Sequence, residues 1–206
     1  MKTGTITFHA AHNFGSVLQA YALQQTVLQI AGHNEIINYR PKVQKQMYRV
    51  ITKRPKFVAI LKDITHLLYY KSLKVKYQKF EYFIHHNLIL SQKEFDSLES
   101  LSKELSLYDC YISGSDQIWN PNPCDFSMAY LLPFIPEKSK RISYAASMGP
   151  SGIFTRPLPQ GYVESLARYK YISVRENKSA LLIQNLLLNF NAKTNFNKLG
   201  GGENSM

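Results

Sequence analysis

The chain has 206 residues, 45% of them hydrophobic and 13% aromatic, the composition of a folded protein with a core of its own. No apolar run approaches the roughly 20 residues that span a bilayer, and two cysteines, Cys110 and Cys124, are too few for a disulfide framework or a zinc site. The net charge of +11 is local: from Arg40 to Lys79 twelve basic side chains stand against one acidic one, Asp63, while the remainder carries thirteen of each sign.

In chain order, Thr3 to Phe8 reads as a first strand, and His12-Asn13-Phe14-Gly15-Ser16 as a short polar loop. From Val17 the apolar spacing turns helical through Leu18, Tyr21, Ala22, Leu23 and Leu28, and Gly32 suits a left-handed cap. Glu35 to Tyr39 is a second strand, closed by Arg40-Pro41, and the three elements make a βαβ unit with parallel strands. Helical periodicity follows at Phe57, Ile60, Leu61, Ile64, Leu67 and Leu68, again from Leu73 to His86, and from Leu98 to Leu105, where Glu99 and Lys103 are spaced as an i, i+4 pair. Leu107 to Ser113 reads as a strand running into Gly114-Ser115-Asp116-Gln117, and Arg141 to Ser147 as another, followed by Met148-Gly149-Pro150. Tyr162 to Arg168 is helical, and Tyr171 to Val174 is a last strand ending at Arg175-Glu176. Strands alternating with helices predict an α/β fold, a Rossmann-like doubly wound parallel sheet with helices on both faces. From about Asn185 the chain turns asparagine-rich and is expected to be disordered.

In an open α/β sheet, ligands sit beyond the carboxyl ends of the strands. Four segments end there: His12 to Ser16, Gly114 to Trp119, Ser147 to Gly149, and Arg175-Glu176. Asn13, Gly15 and Ser16 open a helix, where free N–H groups and the helix dipole suit a phosphate or carboxylate; a simple N-cap with a packing glycine reads equally well. In the second loop Gly114 and Ser115 allow close backbone approach, Asp116 is the candidate base toward a hydroxyl, Gln117 stands beside it, and Trp119 offers a flat face to a sugar ring. The alternative is a tight turn capped by Asp116 above a buried tryptophan. Arg175 suits a carboxylate or phosphate clamp, or an ion pair with Glu176. His9 and His12 have an HxxH spacing with no carboxylate or cysteine nearby in sequence, so no metal is expected.

These segments resemble the polysaccharide pyruvyl transferase family over residues 4–178. The resemblance rests on Thr7-Phe8-His9, Asn13 to Gln24, Ile36 to Pro41, Gly114 to Asn120, Arg141 to Gly149 and Ile172 to Glu176, in the family's order and approximate spacing. It implies a GT-B-like pair of Rossmann-like domains facing a cleft, and transfer of a pyruvyl group from phosphoenolpyruvate, the donor substrate, to two hydroxyls of a surface-polysaccharide sugar, with no cofactor. By that analogy residues 1–178 form the N-terminal, acceptor-side domain, with a basic helical segment at 40–90. Asn13, Gly15, Ser16, Gly114, Ser115, Gln117, Trp119 and Arg175 would bind substrate, and Asp116 would be the base.

Past Glu176 the chain departs from the family pattern. Residues 179–206 are expected to be a divergent tail, the C-terminal donor domain to be absent, and the truncated chain to be inactive alone or to need a separately encoded C-terminal half. The protein is expected in the cytoplasm, unprocessed, and peripheral at the inner face of the cell membrane if residues 40–79 rest on anionic lipid near a lipid-linked acceptor. The alternatives are a fragment of a GT-B sugar-nucleotide glycosyltransferase, or a non-catalytic remnant binding a membrane or other polyanion. Nucleic acid is a poor fit, since no helix-turn-helix, RNA-recognition or zinc-finger pattern accompanies the basic stretch.

Overall fold

The computed structural model describes residues 1–48, 69–105, 108–149 and 154–200, with 192–200 as backbone alone. The helix expected over Phe57 to Leu68 lies outside these residues.

Four parallel strands form the sheet: β1 (Thr3–Ile6), β2 (Asn34–Ile36), β3 (Cys110–Asp116) and β4 (Lys140–Ala146), in the order β2-β1-β3-β4. Thr5 lies opposite Ile36 on one side and Ile112 on the other, and Ile112 in turn opposite Ile142. Single parallel bridges extend both edges: Leu90 to Ile36 and Phe95 to Tyr39 outside β2, Tyr171 to Ile142 and Val174 to Ala146 outside β4. The strand expected at Tyr171 to Val174 is thus reduced to two bridges. Counted with these edges, the chain follows the order 3-2-1-4-5-6 of a Rossmann-like doubly wound sheet.

Helix α1 (Phe14–Ala31) starts because the Asn13 side chain takes the N–H groups of Gly15 and Ser16, and ends at Gly32, whose φ of 75° is open to glycine at little cost. Its buried face is Val17, Ala20, Leu23, Gln24 and Val27, while Leu18 of the expected stripe is exposed. Buried Gln24 acts as a piece of strand: its amide donates to the Ile89 carbonyl at 2.8 Å and accepts the Ile89 N–H at 2.9 Å. Short α2 (Lys42–Met47) precedes α3 (Tyr70–Asn87), which packs Phe80 and Ile84 with Val17, Ala20 and Ile36. The basic stretch is therefore helical in both parts that are described.

The opposite face of the sheet carries the main core. Tyr111 faces it, whereas the next residue, Ile112, packs with Leu23 and Val27 of α1, the alternation of a strand covered on both sides. Ile6, Trp119, Tyr130 and Tyr162 fill this core, enclosed by α4 (Leu98–Glu104), a 3-10 turn (Met128–Leu131), α5 (Tyr162–Ala167) and α6 (Asn177–Gly200). Helix α4 carries the Lys103–Glu99 ion pair expected from spacing, at 2.6 Å. Over the described residues 179–200, helix α6 stands where a divergent, disordered tail is expected. Ile183 is buried, and Leu182, Leu186 and Leu187 lie against the core, so apolar residues at helical spacing outweigh the asparagine-rich composition.

Gly114 is demanded by this packing. Its φ is 138°, and a Cβ there would stand 2.0 Å from the Tyr144 carbonyl oxygen in β4. A Cβ on Gly32 would meet nothing within 4 Å. Urea titration is therefore expected to show Gly32→Ala losing about 1 kcal/mol, and Gly114→Ala losing about 3 kcal/mol or failing to fold.

Candidate functional site

β1 sends its crossover through α1 to β2, and β3 sends its own to β4 on the other side. The carboxyl ends of β1 and β3 are therefore the point where strand order reverses, which is where an open α/β sheet forms its ligand crevice. Side chains from the two following loops tie these ends together. Thr7 Oγ1 donates to the Ser115 carbonyl at 3.0 Å. Gln19, on the first turns of α1, donates to Thr7 Oγ1 at 2.9 Å and accepts the Ser115 N–H at 3.2 Å. Ser16 Oγ donates to Asp116 Oδ2 at 2.7 Å, and the Gln117 N–H donates to Asp116 Oδ1 at 2.8 Å. Asp116 adopts a φ of 84°, left-handed backbone that aspartate tolerates better than most residues.

The same network reaches the other two loops. The Ser147 N–H donates to the Asp116 carbonyl at 3.0 Å, and Ser147 Oγ donates to Glu176 at 3.0 Å. Glu176 also accepts Arg175 Nε at 2.8 Å and Ser179 Oγ at 3.1 Å. Burial would raise the Glu176 pKa, but the hydrogen bonds from Arg175, Ser147 and Ser179 outweigh it and hold it low. All four loops placed at this edge by the sequence are thus joined.

Individual positions differ from expectation. Gly15 and Ser16 donate their N–H groups to Asn13 at 2.8 and 3.4 Å, so the helix start is capped rather than open. Gly114 makes a close approach to Tyr144. Ser115 Oγ donates to the Ala145 carbonyl at 3.2 Å. Trp119 is 0% exposed, with its indole N–H on Ser113 Oγ at 3.0 Å, so the ring is core and has no face for a sugar. Arg175 is ion-paired with its neighbour, as the alternative had it. Asp116, Gln117 and Ser16 remain together at the crevice, joined by Gln19 and Thr7, which spacing did not single out as polar ligands of the loop.

A second polar cluster lies beside the first loop. His12 Nε2 meets Glu81 at 2.7 Å, Arg40 Nη1 reaches both Glu81 oxygens at 2.8 and 3.1 Å, and His85 approaches Glu81 at 3.4 Å. Burial would raise the Glu81 pKa, yet hydrogen bonds from His12 and Arg40 bring it down to about 2. His9 is fully buried, 3.1 Å from Asn38 Oδ1. Burial, then the nearby Arg40 charge, lower its pKa to about 4. His12, Arg40, Glu81 and His85 line a cavity of about 410 Å³ together with Gln44, Lys45, Tyr48, Tyr77 and Glu94. Burial, then the charges of Asp125 and Asp116, raise the Tyr48 hydroxyl. Arg40 and Glu81 are 41 positions apart, and no local pattern announces their pairing. Among the described residues, no group of three or more His, Cys, Asp or Glu side chains is placed to hold a metal ion, and no helix is long and apolar enough to cross a membrane.

A parallel α/β sheet with a carboxylate held at its switch point defines an α/β protein with a polar crevice at the carboxyl edge. The family model for polysaccharide pyruvyl transferases matches residues 13–195, most of the chain, and the protein belongs to that family. No curated protein and no solved structure matches the chain.

The buried histidine has a pH consequence. Between its unfolded value near 6.5 and its folded value near 4, His9 binds a proton more readily in the unfolded chain, so stability falls as pH falls through that window. The loss approaches about 3 kcal/mol at the acid end. Urea titrations from pH 7 to 4 are expected to show this slope in the wild-type protein and its flattening in His9→Gln.

Proposed function

We propose that the protein transfers a pyruvyl group from phosphoenolpyruvate to two hydroxyls of a sugar in a surface polysaccharide, forming a cyclic ketal and releasing phosphate. The family match over residues 13–195 carries this reading. In the first step a proton adds to the methylene carbon of the enol, and a sugar hydroxyl adds to the carbon bearing the phosphate while losing its own proton. A second hydroxyl then displaces phosphate from that carbon, and its proton leaves with the phosphate. Asp116 is the base that receives a hydroxyl proton. Ser16 and the Gln117 N–H fix its two oxygens, so its orientation is set before the acceptor arrives. The chain forms the acceptor side of a GT-B-like cleft, and the donor carboxylate and phosphate need cationic groups opposite it.

Asparagine suits the left-handed backbone at position 116 as well as aspartate does, so Asp116→Asn tests chemistry without a conformational penalty. Acceptor-dependent phosphate release from phosphoenolpyruvate is expected to fall about 100-fold or more in Asp116→Asn, and only several-fold in Ser16→Ala. Equal rates in Asp116→Asn and wild type would remove Asp116 from the mechanism. Consumption of a sugar nucleotide in place of phosphoenolpyruvate would replace the reading with glycosyl transfer.

A groove between α1 and α3 supports an acceptor presented at an anionic membrane surface. It has a volume of about 570 Å³, with Phe14, Val17, Leu18, Val75, Phe80 and Phe83 inside and Lys71, Lys76 and Lys79 among its lining residues. Apolar surface beside clustered lysines suits a lipid chain with an anionic head. Sedimentation with vesicles containing anionic lipid is expected to bind the protein at low salt and to release it at high salt. Replacing all three lysines by glutamate should abolish binding, and binding indifferent to anionic lipid would contradict the reading.

A further inference from the structure

Side chains stand in for the strand partner that the end of β3 lacks on its β1 side. β1 ends at Ile6, opposite Ser113, so Ser115 lies beyond the neighbouring strand. The Ser115 N–H donates to Gln19 Oε1 at 3.2 Å, and the Ser115 carbonyl accepts Thr7 Oγ1 at 3.0 Å. Gln19 Nε2 in turn donates to Thr7 Oγ1 and to the Ser16 carbonyl, both at 2.9 Å. Both hydrogens and the oxygen of one amide are thus committed, and hydrogen bonds close a ring through Gln19, Thr7 and Ser115.

Gln19 reaches the candidate base from two directions. Ser115 immediately precedes Asp116, whose φ of 84° leaves ordinary strand geometry, and Ser16 donates to Asp116 Oδ2. Gln19 therefore holds the backbone that carries the carboxylate and the backbone of the serine that orients it. Gln24, five positions on in α1, makes a bridge of the same kind to Ile89, donating to its carbonyl and accepting its N–H. That bridge touches none of the candidate site residues. The two glutamines separate a bridge that only satisfies a backbone from one that also sets a carboxylate.

We propose that Gln19 is a positioning residue: it acts through Ser115 and Ser16 to hold the Asp116 carboxylate in the orientation that takes the hydroxyl proton. The proposal rests on the transfer reading, in which Asp116 is the base. A carboxylate released from this hold samples orientations that miss the hydroxyl, which slows the proton transfer and leaves the acceptor's own contacts in place. The effect therefore falls on kcat and spares KM. Gln19 is half-buried, and leucine matches glutamine in helix propensity, so Gln19→Leu removes the hydrogen bonds with little cost to α1 itself.

Two readouts test this, one of them without turnover. In amide NMR spectra, Gln19→Leu is expected to shift the Gln117 N–H, which donates to Asp116 Oδ1, upfield, and to leave Ile112 of the same strand unmoved. Gln24→Leu, the structural control, is expected to lower the melting temperature and to leave Gln117 in place. With phosphoenolpyruvate and an oligosaccharide acceptor, Gln19→Leu is expected to lose about tenfold in kcat at unchanged KM. In an Asp116→Asn background the same replacement should cost nothing further, because the two act as a unit. Should Gln19→Leu fail to fold, Thr7→Val opens the same ring and is expected to give the same shift and the same loss. An unmoved Gln117 amide, an equal shift from Gln24→Leu, or a tenfold loss repeated in Asp116→Asn would overturn the proposal. A shifted Gln117 amide with no turnover in any variant would uphold the hold on the carboxylate and remove the transfer reading. Transfer that is lost in Asp116→Asn but blind to Gln19→Leu would do the reverse.

Discussion

Parallel strands whose crossovers leave in opposite directions cannot have their carboxyl ends covered by the same helix. At β1 and β3 that leaves a crevice whose floor is made of strand ends, with backbone carbonyls and N–H groups in need of partners. Thr7, Gln19 and Ser16 supply those partners from the β1 side, and Asp116 receives one of them from the β3 side. The position of the candidate base follows from that constraint. Thr7 and Gln19 satisfy the Ser115 backbone, and Ser16, one turn of α1 before Gln19, aims the neighbouring carboxylate.

The polar interior continues away from the crevice. Glu81 gathers His12, His85 and Arg40, and Asn38 takes both His9 and Arg40. The partners come from α3 and from the loops after β1 and β2, so the cluster fixes α3 against those two loops. Arg40 Nη2 and Gln44 Nε2 are buried beside this network without a partner among the described residues. In the core on the far face the one polar atom of Trp119 is bonded to Ser113, while the Tyr130 hydroxyl is buried without a partner among the described residues.

How far the sequence carried the reading differs by element. The four strands of the sheet, α1 with its Gly32 end, and the four loops at one sheet edge were legible, because periodicity and turn residues are local signals. Asn13 as a cap, Trp119 as core and Arg175 as an ion pair were visible only as alternatives, since the same residues in the same spacing serve either role. The Arg40–Glu81 pair and the Gln19 bridge were not legible at all. Both join residues brought together by the crossover, and nothing in the residues flanking Arg40 or Gln19 encodes the partner. Composition misled at the C-terminus: asparagine content suggested disorder, while Ile183 and the leucines around it had helical spacing and a core to meet.

The central claim is that a family-typical pyruvyl transfer takes place at the carboxylate held between β1 and β3. Phosphoenolpyruvate carrying ¹³C at its methylene carbon, incubated with the protein and an oligosaccharide acceptor, reads it most directly. Transfer converts that methylene into the methyl group of a ketal, so a ¹³C methyl signal attached to the sugar product, formed together with one phosphate per ketal, is the expected result. Label that stays in phosphoenolpyruvate, or passes to free pyruvate with no sugar product, would contradict it.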